Sequence, residues 1–591
     1  VHRARWNRTD KCSERKSLEY RHTKAEESAG QTHWRIPMLK GRTASSFFSF
    51  LLLAILACST GFLFRGDDDY YFKITKGIDI FGKVYKEIVG NYVDEVDPEK
   101  FMRSGIDGML GTLDPYTVFI DESEKEEVEL ITTGKYGGVG ITIGIRDGKV
   151  IVIYPMEGYS AFRQGIRAGD RILEVGGHPV TGMKLDSVRA LVRGEPGTEV
   201  RMKIGREGEK APLEFALVRE EIRPKNISYA GFIEEGISYV KLDRFTRTAG
   251  DELRQTLKDL KSKGQINGIV LDLRDNPGGL LDVAVDVAEK FLPRGSLVVT
   301  TKGRKSEAEK RYTANEEPML GDVRFTVLVN KMSASASEIV AGAIQDLDRG
   351  VIVGTQTFGK GLVQTILPLS YNTSLKVTTA RYYTPSGRCI QELDYSHKTK
   401  DGAVRMVPDS LRREYQTAHN RKVYEGGGIL PDTVVVEDGQ SQLMKELNRK
   451  AMFFKYATHY VSQHKTLTEG FEVDDAVFEN FKKYLQDENF KYQEESETKV
   501  AELKEIAQKE NYGPTILKDI DKVLKAVSDE KANEFTRHSG EIKRALASEL
   551  FSRYDGEQGR IRAGLKDDKQ LQVAVSLLKN EQEYNRRLTA R

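Results

Sequence analysis

Residues 331–350 read KMSASASEIVAGAIQDLDRG, with three serines in alternate positions leading into an apolar run. Ser335 and Glu338 fit the S-x-x-E capping box, in which a serine and a glutamate satisfy the unpaired amides that open a helix. A serine there also stands beside free N–H groups and the positive end of the helix dipole, where a developing oxyanion is stabilised. Cap and nucleophile are therefore compatible readings, and the presence of a base decides between them. Apolar segments flank the stretch, FTVLVN at 325–330 and VIVG at 351–354, which places the serines at a strand-to-helix junction.

The same alternation extends outward in both directions. ISYVKLDRF at 237–245, a helical period over 249–263, GIVLDLRDNPGG at 268–279 and a second helical period over 281–291 predict an α/β core spanning residues 222–436. Residues 135–221 change texture to short strands and many glycines, YGGVGITIGI, KVIVIYP, DRILEVGG and TEVRMKIGR, and read as a compact β-rich module. Residues 70–134 are expected to be mainly helical, with a stripe of Ile78, Ile80, Val84, Ile88 and Val89. Residues 437–591 form a charged helical extension in which Ile516, Ile520, Val523, Leu524 and Val527 recur at helix spacing.

With 591 residues the chain is long enough for several cores, and its formal net charge of +2 gives no global field for nucleic acid or for an acidic substrate. Cys12, Cys58 and Cys389 have no metal-ligand spacing and no evident pairing. FFSFLLLAILACSTGFLF at 47–64 follows Lys40 and Arg42 and precedes Asp67, Asp68 and Asp69, so 38–69 reads as an export signal or membrane anchor with the bulk of the chain outside the cytoplasm. Residues 1–37, polar and without period, are read as lying upstream of a start at Met38. Ile55-Leu-Ala-Cys58 also resembles a bacterial lipoprotein box, leaving a lipidated Cys58 as the alternative to a retained helix.

Four chemistries can be tested against the letters. GTQTFGKG at 354–361 matches a Walker A loop until Gly361, where Ser or Thr is needed for magnesium, and the following LVQTILPL reads as a strand. No H-E-x-x-H occurs among the nine histidines, no G-x-S-x-G occurs, and the core holds only His397 and His419. Lysine is left as a base, and Gly359-Lys360-Gly361 after a buried strand is the place to look. A lysine serves only when neutral, and burial lowers its pKa from about 10.4 towards roughly 7 to 8. Ser with a neutral Lys suffices for acyl transfer; an ordinary turn lysine is the other reading of Lys360.

Eight ordered segments resemble the C-terminal processing peptidases, or tail-specific proteases: LDPYTVFI (113–120), YGGVGITI (136–143), GIRAGDRILEVGG (165–177), LRDNPGG (273–279), SASASEIVAGAIQDLDR (333–349), TFGKGLVQ (357–364), YYTPSGRCIQ (382–391) and GGGILPD (426–432). The resemblance implies a crotonase/ClpP-like α/β core with an inserted PDZ domain at 135–221. It implies Ser335 as nucleophile and Lys360 as general base, with Gln364 orienting the lysine. Asp346 matches an acidic position that supports the site in some members, the other reading being a solvated helix carboxylate.

The oxyanion hole is expected from the backbone of Ala336 and of Gly278 or Gly279. The PDZ loop of Gly137, Gly138, Val139, Gly140 and Ile141 is expected to capture a free, apolar C-terminus as an added strand. Gly176 stands where many PDZ domains carry Asn or Asp, which touches turn geometry more than binding. The expected protein is an envelope-facing, periplasmic-side serine endopeptidase of protein tails that needs no cofactor or metal and binds no nucleic acid. By the same analogy the PDZ domain gates the site, and the C-terminal helices serve oligomerisation or an adaptor. A non-catalytic peptide-binding scaffold and an exported binder of apolar small molecules are the competing classes.

Overall fold

The computed structural model describes residues 65–122, 133–395, 405–406, 412–436, 439–468 and 470–589. The apolar run at 47–64, with Cys58 and the residues before it, lies outside the described residues; among those described, no helix is long and apolar enough to cross a membrane. The chain divides into two units, 1–102 and 103–591. In the first, helix α1 (Arg65–Asn91) is followed by the start of α2 (Pro98–Leu110), where the Tyr85 hydroxyl donates to Pro98 O and its ring stacks on Phe101.

Within the second unit, β1 (Val118–Ile120) is a strand where the sequence suggested helix. Its backbone pairs antiparallel with residues 374–376, a long-range partner that local periodicity cannot reveal. The β-rich module begins with β2 (Tyr136–Gly138) and continues through β3 (Ile141–Arg146), β4 (Lys149–Pro155), β5 (Arg171–Val175), helix α3 (Leu185–Val192), β6 (Glu199–Gly205) and β7 (Leu213–Val218). The sheet order is β3-β4-β5-β6-β7, so β3 is an edge with one side unpaired. Alternation is clear in β6, where Val200, Met202 and Ile204 are buried and the first two pack in one cluster with Val152, Ile172 and Val188. A short strand β8 (Glu220–Ile222) pairs with β2, Tyr136 opposite Ile222, so the module leaves the fold beside where it enters.

The α/β core is a six-stranded sheet in the order β9 (Ile227–Glu234), β10 (Ile237–Leu242), β11 (Gly268–Asp272), β12 (Arg324–Val329), β13 (Val351–Gly354), β14 (Thr433–Val434). Only the β9–β10 pair is antiparallel. Every residue of β11 and β13 is buried, which is why GIVLD and VIVG read as continuous apolar runs rather than alternating ones. Helices α4 (Ala249–Lys263), α5 (Leu281–Glu289) and α6 (Ala336–Asp346) cover one face through Leu253, Leu257, Ala284, Val287, Ile339 and Val340. A second sheet carries the strand 362–368 against 374–383, the latter also pairing with β1 and with 297–303.

The other face of the core sheet is covered from far along the chain. Helix α7 (Met452–Gln463), α8 (Ser539–Tyr554) and α9 (Gly556–Leu565) lead to α10 (Lys569–Lys579) and α11 (Glu581–Arg587). Leu571, Ala574, Val575 and Leu578 of α10 pack on Tyr239, Val270, Leu328 and Val353. Arg274 bridges Asp272 and Asp568, each at 2.6 Å, and the Tyr584 hydroxyl both accepts from Phe325 N and donates to Phe325 O. The end of the 437–591 segment is thus a layer of the core. Its earlier helices form a separate apolar cluster around Phe453, Phe481 and Leu546, and α7 docks on the β-rich module through Phe454 against Ile151, with Lys455 on Asp147 and His459 on Glu207.

Candidate active site

The three serines have different surroundings. Ser333 Oγ donates to Leu273 O at 2.8 Å and Ser337 Oγ donates to Asn276 O at 2.9 Å, so both hydroxyls hold neighbouring backbone. The Ser335 hydroxyl donates to no protein acceptor among the described residues. Ser335 sits at the N-cap of α6 with φ 57° and ψ −112°, a left-handed backbone uncommon for a residue with a Cβ. Its N–H donates to Glu338 at 2.8 Å, which closes the capping box foreseen in the sequence.

Asn276 anchors the turn that faces this serine. Its amide nitrogen donates to Leu242 O at 2.7 Å, its side-chain oxygen accepts from Gly278 N at 2.9 Å, and its carbonyl accepts from Ala334 N at 3.1 Å. Gly278 has φ +96°, and a Cβ there would lie 2.5 Å from Ala334 O, 2.8 Å from Ala336 N and 3.0 Å from Ser335 Cβ. Only a bare Cα fits this approach. The Gly278 N–H is already taken by Asn276, whereas the amides of Gly279 and Ala336 have no acceptor among the described residues.

Lys360 follows β13 in a loop tied to the serine loop at several points. Phe358 N donates to Ser333 O at 3.0 Å, and Gly361 N donates to Gln391 Oε1 at 2.7 Å. The main junction is Glu338, fully buried, whose carboxylate accepts from Thr357 Oγ1 at 2.6 Å, Gly359 N at 2.7 Å, Ser335 N at 2.8 Å and Lys360 N at 3.0 Å. Burial pushes this carboxyl up to about 7 against the opposing pull of those donors. The sequence assigned Glu338 only a capping role; its spacing from Ser335 was the one signal, and nothing local announces the Lys360 contact.

The Lys360 ammonium lies 4.3 Å from the centroid of the Tyr116 ring. Burial lowers its pKa to about 8, Lys376 adds to the fall, and Glu338 and Asp114 oppose it. Tyr116 is fixed by the turn of LDPYT: Asp114 accepts from Tyr116 N and Thr117 N, both at 2.9 Å. Among the described residues no hydrogen bond links Lys360 to Ser335 or to Gln364, and Gln364 donates to Thr378 Oγ1 at 3.2 Å.

Asp346 stands at the other end of α6, roughly 15 Å from Ser335 by the rise of a helix. It is buried, accepts from Arg388 at 2.7 Å and from Ser386 N at 3.0 Å, and so is neither a solvated carboxylate nor in contact with the serine or the lysine. In the β-rich module Gly138, Val139, Gly140 and Ile141 line a cavity shared with Gly278 and Gly279. Gly137 does not: a Cβ there would meet Gly194 O at 2.0 Å, and its carbonyl accepts from Gly194 N. Among the described residues no group of three or more His, Cys, Asp or Glu is placed to hold a metal ion.

An α/β core with a serine at a strained helix N-cap, a lysine of lowered pKa on the adjoining loop and a β-rich insert describes a serine peptidase with a peptide-binding module. Comparison with known proteins agrees. Residues 236–396 match peptidase family S41, 151–206 a PDZ domain, 443–578 the C-terminal helical domain of probable PDZ-proteases, and 67–124 the N-terminal domain of the activating protease CtpB. The carboxy-terminal-processing protease of Bartonella bacilliformis is 40% identical over 314 residues, covering 53% of this chain and 72% of that protein. From Bacillus subtilis, CtpB is 31% identical over 54% of this chain and 66% of its own length, and CtpA 28% identical over 65% and 82%. The chain belongs to the carboxy-terminal processing protease family: it is a serine peptidase carrying a PDZ domain and a C-terminal helical domain.

Proposed function

We propose that Ser335 is the nucleophile and Lys360 the general base of an acyl-enzyme endopeptidase that captures protein C-termini through its PDZ domain and cuts within the captured chain. The observation carrying this reading is the Glu338 carboxylate, which grips the backbone of Ser335 and Lys360 together at 2.8 and 3.0 Å. With both backbones held, the flexible lysine stem needs only to swing its amine from the Tyr116 ring to Ser335 Oγ. Catalytic contacts commonly tighten in this way when substrate arrives.

The neutral Lys360 amine takes the Ser335 proton as Oγ adds to the scissile carbonyl. The amides of Ala336 and Gly279 receive the oxyanion, and the lysine ammonium then protonates the departing amine. Water hydrolyses the ester by the same relay in reverse. Gln364 holds Thr378 through its amide nitrogen, which leaves its side-chain oxygen as the acceptor that orients the lysine in the substrate-bound form. Asp346 acts at a distance, holding α6 to the 384–388 loop through Arg388.

The edge strand β3 and the loop Gly138–Val139–Gly140 before it offer an added strand and a carboxylate its backbone partners, opposite Val192 of α3. From the basic flank before residues 47–64 and the acidic flank after them, we place the protease on the outer side of the cytoplasmic membrane. The test uses the chain from residue 70 onward, wild type, Ser335→Ala and Lys360→Ala, with a protein ending in a flexible apolar tail, free or amidated. Fragments that vanish in both variants and diminish on amidation are expected. Cleavage persisting in Lys360→Ala refutes the dyad, and indifference to amidation refutes carboxylate capture.

A further inference from the structure

The cavity that joins the PDZ groove to the Gly278–Gly279 turn has a volume of about 1310 Å³, and its walls come from four parts of the chain: the PDZ domain, the link after it, the core and the C-terminal helices. It therefore runs from the site proposed for the terminal carboxylate to the site proposed for the scissile carbonyl. An extended peptide is the occupant this continuity fits.

The ionisable side chains on these walls do not balance. Arg206 is paired with Asp170, Arg223 with Glu221, Arg553 with Glu549 and Arg189 with Asp186. Glu207 is taken by His459 and Glu557 by Arg560. Four cations on the cavity form no ion pair among the described residues: Arg167 in the PDZ domain, Lys225 in the link, Arg244 after β10 and Lys465 after α7. Against them stand Glu157, Asp275, which accepts from Asn330, and Asp243, which burial pushes towards its neutral form. Arg244 is half-buried, and its Nε has no hydrogen-bond partner.

Cations gathered from four segments around one low-dielectric concavity focus a positive potential along its length. The chain as a whole, at a formal net charge of +2, has no such bias. We propose that this cavity selects protein tails in which acidic side chains precede the apolar C-terminus. The inference rests on the carboxylate-capture reading above: the terminus sits at the PDZ loop and the acidic segment lies along Arg167, Arg244, Lys225 and Lys465.

The test measures binding to the full chain carrying Ser335→Ala, which retains the cavity and does not consume the probe. Fluorescent peptides share one apolar end and differ upstream in a block of glutamates, serines or lysines, each made with a free and an amidated terminus. The glutamate tail is expected to bind about tenfold or more tightly than the lysine tail at low salt, as four weak screened pairs would give. That gap should shrink in 0.5 M salt, where the screening length falls to a few ångströms (about 3 Å at 1 M). It should narrow or invert in Arg167→Glu/Lys465→Glu, two exposed positions whose replacement spares the fold.

Equal affinity for the three tails, or a preference unmoved by salt and by the charge reversal, overturns the proposal. If the tails bind alike while amidation weakens all of them, charge selection falls and carboxylate capture stands. If amidation changes nothing while the acidic preference persists, capture falls instead. Absence of binding by every tail overturns both.

Discussion

Replacing Glu338 with glutamine tests how the site is assembled, because the carboxylate accepts four hydrogen bonds and offers none. Thr357 Oγ1 and Gly359 N share one oxygen at 2.6 and 2.7 Å; Ser335 N and Lys360 N share the other at 2.8 and 3.0 Å. A glutamine turns one of these oxygens into an NH₂ facing donors. The threonine hydroxyl can rotate to accept, so the amide nitrogen settles on that side and Gly359 N–H loses its acceptor. One buried unpaired donor costs about 1–3 kcal/mol, and urea unfolding of Glu338→Gln should show a loss of that size. The loosened lysine loop should lower kcat by about ten- to a hundredfold, since each 1.4 kcal/mol of misplacement is a factor of ten.

The pH profile separates positioning from bulk stability. Glu338, raised to about 7, accepts all four bonds only when ionised, and Lys360, lowered to about 8, is a base only when neutral. Both conditions fail as pH falls. Log kcat of the wild type should therefore steepen below pH 7 towards two protons per event, while Glu338→Gln keeps the single lysine titration. Wild-type stability and kcat in the variant, or a one-proton profile in both proteins, would refute the reasoning.

Tyr116→Ala uncovers the lysine, whose pKa should return towards the ordinary value, and the midpoint of the rate profile should move up by about a unit. Asp346→Ala strands the buried Arg388 and should cost about 3–5 kcal/mol in urea titrations, with remaining activity tracking the folded fraction. A normal fold with kcat abolished would instead give Asp346 a part in the chemistry. Leu578→Ala opens a cavity against β11 and β12 and should destabilise the peptidase core by about 2–5 kcal/mol although it lies outside the 222–436 segment.

The legible parts of the sequence were those with local period. The helix over 249–263 is present with those ends, and β11 and β13 declared themselves by unbroken apolar runs that only a doubly covered parallel strand sustains. Ser335, Lys360 and the Asn276-Pro-Gly-Gly turn could be named because each motif is contiguous. What joins them could not be: the Glu338 junction, the Tyr116 ring on Lys360 and the pairing of β1 with residue 374 onward are long-range contacts with no local signature. Asp346 read either as a supporting acid of the site or as a solvated carboxylate because its partner, Arg388, arrives from another loop. The helices after residue 437 were amphipathic on paper, but periodicity does not say which apolar face of which domain α10 will meet.

The placement of α10 and α11 has a consequence for how the molecule is made. Tyr239, Val270, Leu328 and Val353 belong to strands that leave the ribosome well before the helix that covers them, which comes after residue 568. Until then one whole face of the peptidase sheet is bare, and non-local closure of this kind is slow and exposed to aggregation. The Ser335 and Lys360 loops are anchored on strands of that same sheet, so the site they form rests on a layer that is complete only once α10 has been made. A copy truncated before residue 568 would leave those four side chains uncovered and is expected to aggregate unless a chaperone holds it.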